Sequence, residues 1–469
     1  MNERHWLRWL LVVALLGAAA GLGVWAFQPR ETSDAVGDPL LATPLWSARR
    51  APEPVREDIG ARRLAYGLGL AVSDVDACVL VDDERTRRAS LGDDKELIPA
   101  SATKLLTGAG LLATFGADHR FTTTVEAVGA PDGAGVVDQA WLVGGGDPVL
   151  ATAEYRAHLA EDPSKIFDPT TSLEELADGV VAAGVRSIGT LHGDDTRQDT
   201  ARTVEGWDPS YPDQGVIGPL SALTVNDGYV EWGTPNVGAP DPAAYAADEL
   251  ARLLEDRGVT VEDTTGTDAA PDDAEPLASV DSAPLGDLVA GMVRSSDNQS
   301  AEVLTRELDT ESGTGEGTTA GGLEVSAGAL DELGIDPRRS LSDGSGLSRE
   351  NRVACAALLD ALAPRESTAA VRDGLAVAGE TGTLALRFDG TPLDGRLRAK
   401  TGYLDGVTAL AGVVDTEQGR PLTFAFLGNG DFDEAGAFRL QSEVAGAIAA
   451  YPDVPGSGEL VPAPSPVGP

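Results

Sequence analysis

Two lysines in this sequence stand where a side-chain amine could take part in proton transfer. The chain of 469 residues has 35 basic residues, but only four are lysines: Lys95, Lys104, Lys165 and Lys400. Because arginine supplies the ordinary positive charge, a retained lysine suggests a task that needs an amine able to lose its proton on burial. Lys104 ends the motif Ser101-Ala102-Thr103-Lys104, and Lys400 begins Lys400-Thr401-Gly402.

The first motif pairs a hydroxyl with an amine. If a helix begins near Ser101, then Ser101 and Lys104 lie on one face, and the amine can take the hydroxyl proton. The N-terminus of that helix also offers backbone N–H groups to a developing oxyanion. The motif alone is weak, because a serine cap followed by an ordinary helical lysine gives the same letters.

Two further motifs follow in a set order. Ser296-Asp297-Asn298 precedes a predicted helix, where a capping turn is the plain alternative, and Lys400-Thr401-Gly402 ends a predicted strand. The succession S-x-x-K, S-D-N, K-T-G is the motif set of β-lactamases and penicillin-binding proteins. The joint order of the three motifs therefore predicts acyl transfer through a serine.

The chain resembles the D-alanyl-D-alanine carboxypeptidase/endopeptidase family of low-molecular-weight, class C penicillin-binding proteins. Besides the three motifs, the resemblance rests on segments between about residues 60 and 450, at 144–148, 193–195, 219–223, 343–349 and 382–384. It implies an α+β fold, in which a β-lactamase/transpeptidase-like domain with an antiparallel sheet flanked by helices is interrupted by a mostly β insert. The long interval between Ser101 and Ser296 fits such an insert.

The resemblance also implies the catalytic roles. Ser101 would attack the carbonyl between the two terminal D-alanines of a peptidoglycan peptide stem, with Lys104 as the base. Ser296 would relay a proton to the leaving amine. Water would then release the acyl group, and β-lactams are expected to acylate the same serine as inhibitors.

The implied substrate-binding residues follow the second and third motifs. Asn298 would hold the peptide backbone of the substrate, Lys400 would supply positive charge near the nucleophile and the terminal carboxylate, and Thr401 would bind that carboxylate. Gly402 and Tyr403 complete this set. The backbone N–H groups of Ser101 and Tyr403 would form the oxyanion hole.

Tyr403 departs from the family pattern, which usually has a second threonine at this position. The backbone role survives any side chain, but a hydroxyl near the substrate carboxylate is lost or moved. The departure weakens the case for tight recognition of a free C-terminal D-alanine, and it favours endopeptidase cleavage of cross-links slightly more.

Helices at both ends of the sequence and a late sheet must bring these motifs together. Strands are predicted within 64–83 and a helix from near Ser101. Further helices are predicted at 172–183, 241–257, 284–295, 299–308, 352–362 and 436–451, loops at 262–276 and 311–322, and strands at 397–402, 407–415 and 421–427. The domains expected are an anchor or signal peptide at 1–30, a spacer at 31–60, a catalytic domain at 61–120 and 286–452, an insert at 121–285 and a disordered tail at 453–469.

The N-terminus predicts export. An apolar run at 9–27 follows Arg4, His5 and Arg8 and is long enough to span a bilayer, with the positive charge expected to stay inside. We favour an uncleaved membrane anchor over a cleaved signal peptide. Either reading places the catalytic part in the cell envelope, or outside the cell if the segment is cleaved.

Composition and missing motifs exclude other classes of function. The formal net charge of −40 disfavours binding to nucleic acid. No G-x-S-x-G, H-E-x-x-H or phosphate loop is present, and no cofactor or metal is expected. A β-lactamase would need a Glu-x-x-Leu-Asn segment that we do not find. An inactive cell-wall binding protein of the same fold remains the alternative from another class.

The two cysteines leave two alternatives open. Cys78 and Cys355 could form one disulfide in an oxidising compartment, or they could be two buried small side chains.

Overall fold

The computed structural model describes residues 53–84, 86–233 and 236–452. Its strands in chain order are β1 (Asp76–Asp83), β2 (Thr86–Leu91), β3 (Glu96–Leu97), β4 (Thr122–Ala127), β5 (Val136–Val143), β6 (Leu150–Ala151), β7 (Thr171–Ser172), β8 (Ser187–Asp194), β9 (Tyr229–Glu231), β10 (Val237–Gly238), β11 (Thr260–Thr267), β12 (Glu275–Asp281), β13 (Arg339–Ser340), β14 (Arg352–Ala354), β15 (Ala376–Val377), β16 (Leu397–Leu404), β17 (Val407–Asp415) and β18 (Pro421–Asn429).

The helices of these residues, in the same order, are α1 (Glu53–Ala71), α2 (Thr103–Phe115), α3 (Ala153–Leu159), α4 (Leu173–Ala182), α5 (Pro242–Glu255), α6 (Leu285–Ser295), α7 (Asn298–Ser312), α8 (Thr319–Glu332), α9 (Cys355–Ala361), α10 (Ala369–Asp373) and α11 (Glu434–Ala449). Short 3₁₀ turns lie at Ala100–Ala102, Asn226–Gly228, Glu366–Thr368 and Gly382–Leu384. None of the helices in the described residues is long and apolar enough to cross a membrane.

The larger sheet joins the two ends of the described chain. Its six strands run in the order β15-β16-β17-β18-β1-β2, and all neighbours are antiparallel. Successive side chains of a strand point to opposite faces. Ala409 and Ala411 of β17 therefore join a core that includes α2, whereas Leu410 packs in a second core with residues of α1 and α11. This arrangement of helices on both faces of an antiparallel sheet agrees with the predicted α+β class.

Helix α2 carries the first motif into the protein interior. All residues from Thr103 to Leu112 are buried, because α2 lies between the sheet and the helices α7 and α8. A helix that is mostly apolar and buried on every side is typical of such a central position. Its first turn is therefore held in a fixed place relative to the sheet.

A second sheet forms within the range predicted for the insert. Its five strands run in the order β11-β8-β5-β4-β12, with β5, β8 and β11 parallel and β4 and β12 antiparallel. Helices α4 and α5 cover it, and Leu176, Ile188 and Leu250 lie in its core. All five strands fall within 121–285, and the exact domain boundaries stay a prediction.

The two cysteines are joined. Cys78 on β1 and Cys355 at the start of α9 form a disulfide with a Cα–Cα distance of 6.1 Å. Both residues are also buried, so the structure shows a disulfide in the protein interior and not two unbonded small side chains.

Helix α1 corrects two predictions at the start of the described chain. Residues 53–60 were predicted as spacer, and the strands predicted within 64–83 were to begin at Leu64, but Glu53–Ala71 is one helix. Leu64 and Leu68 are four residues apart and both pack against the sheet with α11, which is helical spacing. The predicted anchor at 9–27 and the predicted tail at 453–469 lie outside the described residues.

Three further segments differ from the predictions. Only 268–274 of the loop predicted at 262–276 is a loop. The rest belongs to β11 and β12, whose half-exposed residues give no clear alternation. The helix predicted from Arg352 begins instead with β14, followed by α9. The loop predicted at 311–322 ends earlier, because Thr318 caps α8 by accepting a hydrogen bond from the Gly321 N–H group.

Candidate active site

Ser101 sits in the tight turn that leads into α2. Ala100, the residue before it, has a φ of 46°, a left-handed conformation that residues with a side chain rarely adopt. The Thr103 hydroxyl donates to the Ala100 carbonyl at 2.9 Å. A Cβ atom on Gly346 would lie 2.0 Å from the same carbonyl oxygen. The segment around Gly346 can therefore pass this close to the turn only without a side chain at that position.

Lys104 connects the first motif to the second. Its Nζ atom lies 3.2 Å from Ser101 Oγ, 2.7 Å from Asn298 Oδ1 and 2.6 Å from the Ser345 carbonyl oxygen. The side chain is fully buried, and this burial lowers the pKa of Lys104 to about 8, against the opposing effect of nearby carboxylates. A pKa this close to neutrality suits an amine that must accept a proton.

The second motif is the joint between two helices. Ser296 ends α6 in a left-handed conformation with a φ of 65°. Asp297 begins α7, where its side chain accepts hydrogen bonds from the backbone N–H groups of Gln299 and Ser300. The capping interpretation of this motif is thus also correct. The cap at Asp297 fixes the backbone between Ser296 and Asn298.

Asn298 has both ends of its side-chain amide engaged. Its Oδ1 accepts from Lys104, and its Nδ2 donates to the Val216 carbonyl oxygen at 2.9 Å. Val216 belongs to the range predicted for the insert. The orientation of this asparagine therefore depends on the insert as well as on α7.

The third motif lies on β16, directly beside the nucleophile turn. A Cβ on Gly402 would lie 3.0 Å from the Pro99 carbonyl oxygen, so the glycine permits the close approach. Lys400 is fully buried, and its Nζ donates to the Thr401 carbonyl oxygen at 2.7 Å. Burial, and secondly the positive charge of Lys104, hold the pKa of Lys400 well below its usual range.

Five of the eight predicted site residues line one cavity of about 240 Å³. They are Ser101, Ser296, Thr401, Gly402 and Tyr403. Lys104 and Asn298 are hydrogen-bonded to each other, and Lys104 reaches Ser101. Lys400 precedes Thr401 on the strand. The structure therefore brings together residues that are up to 302 positions apart in the sequence.

A buried acid behind Lys104 was missed by the sequence analysis. Glu302 Oε1 accepts from the Ser345 N–H group at 2.7 Å, while the Ser345 carbonyl faces Lys104. Burial raises the pKa of Glu302 to about 8. Its position one helical turn after Asn298 was the available signal, since residues four apart share a helix face.

The loop that contains Ser345 is itself fixed by Asp343. This carboxylate accepts hydrogen bonds from the N–H groups of Gly346 and Ser348, and from Trp207 Nε1 at 2.8 Å. The segment 343–349 had contributed to the resemblance without a role. In the structure it supplies the carbonyl group that faces the buried amine of Lys104.

The glycine run at 144–146 is a packing feature. Cβ atoms on Gly144 and Gly145 would collide with the backbone of Ala222 and Thr122, and one on Gly146 with the carboxyl group of Glu307. In the described residues no group of three His, Cys, Asp or Glu side chains is placed to hold a metal ion.

Fold and site together define a class of protein. A serine hydrogen-bonded to a buried lysine, an S-D-N joint between helices and a K-T-G strand around one cavity form the serine acyl-transfer site of penicillin-binding proteins and β-lactamases.

Comparison with known proteins narrows the class to a family. The sequence profile of the D-Ala-D-Ala carboxypeptidase 3 (S13) family matches residues 78–240 and 234–451. The chain belongs to this family, and it is a serine peptidase. The alternatives of a β-lactamase and of an inactive binding protein find no support here.

Individual relatives agree over most of their length. The D-alanyl-D-alanine carboxypeptidase of an Actinomadura species is 33% identical, with 85% of each chain covered. The carboxypeptidase DacB of Mycolicibacterium smegmatis is 32% identical, with 89% of this chain and 90% of the relative covered. The fold is similar to the crystal structure of penicillin binding protein 4 from Haemophilus influenzae, with a TM-score of 0.67 at 21% identity, covering 82% of this chain and 99% of that one.

Proposed function

We propose that this D-Ala-D-Ala carboxypeptidase forms its acyl-enzyme on Ser101 and acts on the peptide stems of peptidoglycan. The observation that carries the proposal is the contact of 3.2 Å between Ser101 Oγ and the fully buried Lys104 Nζ. A neutral amine at this place can take the hydroxyl proton, since burial has already lowered its pKa to about 8.

In the acylation step, Ser101 Oγ attacks the carbonyl carbon of the scissile bond as Lys104 accepts the proton. The backbone N–H groups of Ser101 and Tyr403 receive the developing oxyanion. The C–N bond then breaks, and the leaving amine takes a proton relayed by Ser296, which lines the same cavity. Asn298 and Thr401 hold the substrate on either side of the reacting carbonyl.

In the deacylation step, water attacks the ester carbonyl of the acyl-enzyme. The C–O bond to Ser101 breaks, and the serine recovers its proton through Lys104. A β-lactam would acylate Ser101 by the same attack, with the lactam C–N bond breaking. Because that leaving amine stays tethered to the acyl group, slow deacylation would leave a lasting adduct.

Cleavage of cross-links is a second activity that one observation favours. The Tyr403 hydroxyl donates to Asp405 Oδ1 at 3.0 Å, so it is engaged with its own strand end. The hydroxyl that the family pattern places at this position is therefore not offered to the substrate by residue 403. A site with less contact to the terminal residue tolerates a larger leaving group.

We also propose that the catalytic part works outside the cytoplasm, held to the membrane by residues 9–27. The Cys78–Cys355 disulfide supports this location, because disulfides persist in oxidising compartments. The substrate class supports it too, since peptidoglycan lies outside the cell membrane. Fractionation of cells that express the full chain, with and without residues 1–30, tests the anchor.

The nucleophile is tested by mass spectrometry of the full-length protein after incubation with benzylpenicillin. We expect one penicilloyl adduct on the peptide that contains Ser101, and none in the Ser101→Ala variant. The exposed serine of β2 gives the matched control, Ser90→Ala, which should keep the adduct. An adduct on another residue, or rapid drug hydrolysis without an adduct, would contradict the proposal.

A further inference from the structure

The active-site cavity contains a positive charge to which the sequence analysis gave no role. Arg387 lines the cavity together with Ser101 and Thr401. Within residues 53–84, 86–233 and 236–452, no carboxylate lies within ion-pair distance of its guanidinium group, and Glu434 acts on its charge only from a longer distance. Its one side-chain hydrogen bond there is to a neutral group, from Nη1 to Gln441 Oε1 at 2.7 Å.

Aromatic rings hold the guanidinium group without neutralising it. Its central carbon lies 4.2 Å from the ring centre of Phe438 and 5.0 Å from that of Phe388. Such contacts attract a cation but leave its charge in place. Partial burial lowers the pKa of Arg387 to about 10, so the half-buried group stays charged at neutral pH.

Gln441 fixes the direction of the guanidinium group. This glutamine is fully buried, and its Nε2 donates to the carbonyl oxygens of Gly402 and Ala409 at 3.3 Å and 3.1 Å. Carbonyl oxygens only accept hydrogen bonds, so the amide group has one possible orientation, with Oε1 towards Arg387. The arginine is thereby tied to the strand of the K-T-G motif.

The same segment of the chain also supplies a hydroxyl. Thr401 Oγ1 donates to Thr383 Oγ1 at 2.8 Å, and Thr383 lies in the 3₁₀ turn four residues before Arg387. Both threonines line the cavity. A pair of hydroxyls and a guanidinium group therefore surround one side of it, while the Tyr403 hydroxyl is engaged with Asp405.

We propose that Arg387, together with Thr383 and Thr401, binds the α-carboxylate of the amino acid that leaves in the reaction. A half-buried cation without a carboxylate in contact is less favourable than one whose charge a ligand has paired. The planar guanidinium group can donate two parallel hydrogen bonds to a carboxylate. The inference rests on the proposed acyl transfer by Ser101, and it assigns the recognition that the missing threonine at position 403 had left open.

This assignment defines the substrate by the leaving group. The released amine must carry a carboxylate on the neighbouring carbon, as a terminal D-alanine does. A cross-linking amino acid attached through an amine next to its own free carboxylate also meets this condition, so carboxypeptidase and endopeptidase substrates would share the subsite. Penicillins carry a carboxylate on the carbon beside the lactam nitrogen and would use it as well. A stem whose terminal carboxylate is amidated would be a poor substrate.

The test compares a stem peptide ending in D-Ala-D-Ala with the same peptide as its C-terminal carboxamide. For Arg387→Gln we expect kcat/KM on the carboxylate peptide to fall about 10- to 100-fold, and kcat/KM on the carboxamide to change less than about 3-fold. Arg387→Lys should recover part of the loss on the carboxylate. The matched control Arg398→Gln removes an exposed charge from β16 and should leave both values unchanged.

Two outcomes would overturn the inference: an equal loss on both peptides, or no loss on either. Acylation of Ser101 by an activated thioester that lacks a carboxylate shows whether the variant still has an intact nucleophile. If the unaltered protein is acylated by none of these compounds, the proposed function itself fails. Thr383→Val gives a second measurement, with a smaller loss expected and again only on the carboxylate peptide.

Discussion

The two sides of the active-site cavity differ in how far their polar groups are satisfied within the protein. On the nucleophile side, the Lys104 amine contacts three acceptors from the first motif, the second motif and the 343–349 segment. On the strand side, the Arg387 guanidinium has one neutral acceptor in the described residues. The first side is complete before a substrate arrives, and the second is completed by the substrate.

This difference separates two tasks that the reaction requires. The nucleophile side must set a pKa, which depends on burial and a fixed set of partners. The strand side must recognise a charged group, which depends on leaving a charge unpaired until that group binds. Changes on the nucleophile side should therefore affect every substrate, whereas changes on the strand side should affect only substrates with a carboxylate.

The largest effect is expected for Lys104→Arg. A guanidinium group cannot lose its proton, so it cannot act as the base. We expect the rate of penicillin acylation to fall about 1,000-fold, and the rate with the carboxylate-free thioester to fall equally. Stopped-flow or intact-mass kinetics measure both rates. The matched control is Lys95→Arg on the surface, where Lys95 pairs with Asp76. A loss confined to carboxylate substrates would contradict the expectation that changes on the nucleophile side affect every substrate.

The pH dependence of acylation comes next in size. The neutral form of Lys104 is the active one, and its pKa is about 8. Protonation below that pH removes the base, so we expect kcat/KM to fall about tenfold for each pH unit below 8 and to level off above it. The profile should have the same shape for the carboxylate peptide and the thioester. A profile that differs between them would place the titrating group on the strand side.

Glu302 provides a smaller change on the nucleophile side. Glu302→Gln keeps an acceptor for the Ser345 N–H group but removes a charge that is present near and above pH 8 and that raises the pKa of Lys104. We expect the upper part of the pH profile, near pH 8, to move to lower pH, with little change at more acidic pH and little loss at the plateau. Glu302→Ala leaves that N–H group buried and unpaired, which should lower the free energy of unfolding by about 1–3 kcal/mol. Denaturant titration and the pH profile distinguish the two variants, and a profile unchanged in Glu302→Gln would contradict the expectation.

The smallest effect is expected for Tyr403→Thr on the strand side. A threonine hydroxyl at this position would add one neutral hydrogen bond to the substrate carboxylate. We expect kcat/KM on the carboxylate peptide to rise about 3- to 10-fold, with the thioester unchanged. In the Arg387→Gln background the gain should persist and offset part of the loss. An equal gain on the thioester would show an effect on the oxyanion hole instead.

Sequence order made the nucleophile side predictable. The three motifs identified Ser101, Lys104, Ser296 and Asn298, because the chemistry requires these residue types in short, fixed spacings. The late strands were predicted almost to the residue, since β17 is apolar except for Thr408 and the terminal Asp415. The predicted roles of the individual residues stay predictions until the variants are made.

The strand side could not be predicted from local patterns. Thr383 and Arg387 belong to one segment and Gln441 lies on α11, and these two parts of the chain meet only through the packing of α11 against β16 and β17. Nothing in the spacing of a single arginine marks it as unpaired. Similarly, α1 was predicted as spacer and strand, because the contacts of Leu64 and Leu68 with the sheet are not visible in a polar, weakly periodic stretch.

The hydrogen bond from Asn298 Nδ2 to the Val216 carbonyl has a consequence for engineering. Trp207, also in the predicted insert, similarly donates a hydrogen bond to Asp343 at the start of the 343–349 segment. A minimal enzyme made by deleting 121–285 and joining the flanking segments would keep all three sequence motifs, yet two of its catalytic supports would be gone. The three motifs alone therefore do not contain every group that holds the site in place. Transferring the site to another protein requires transferring the insert with the motifs.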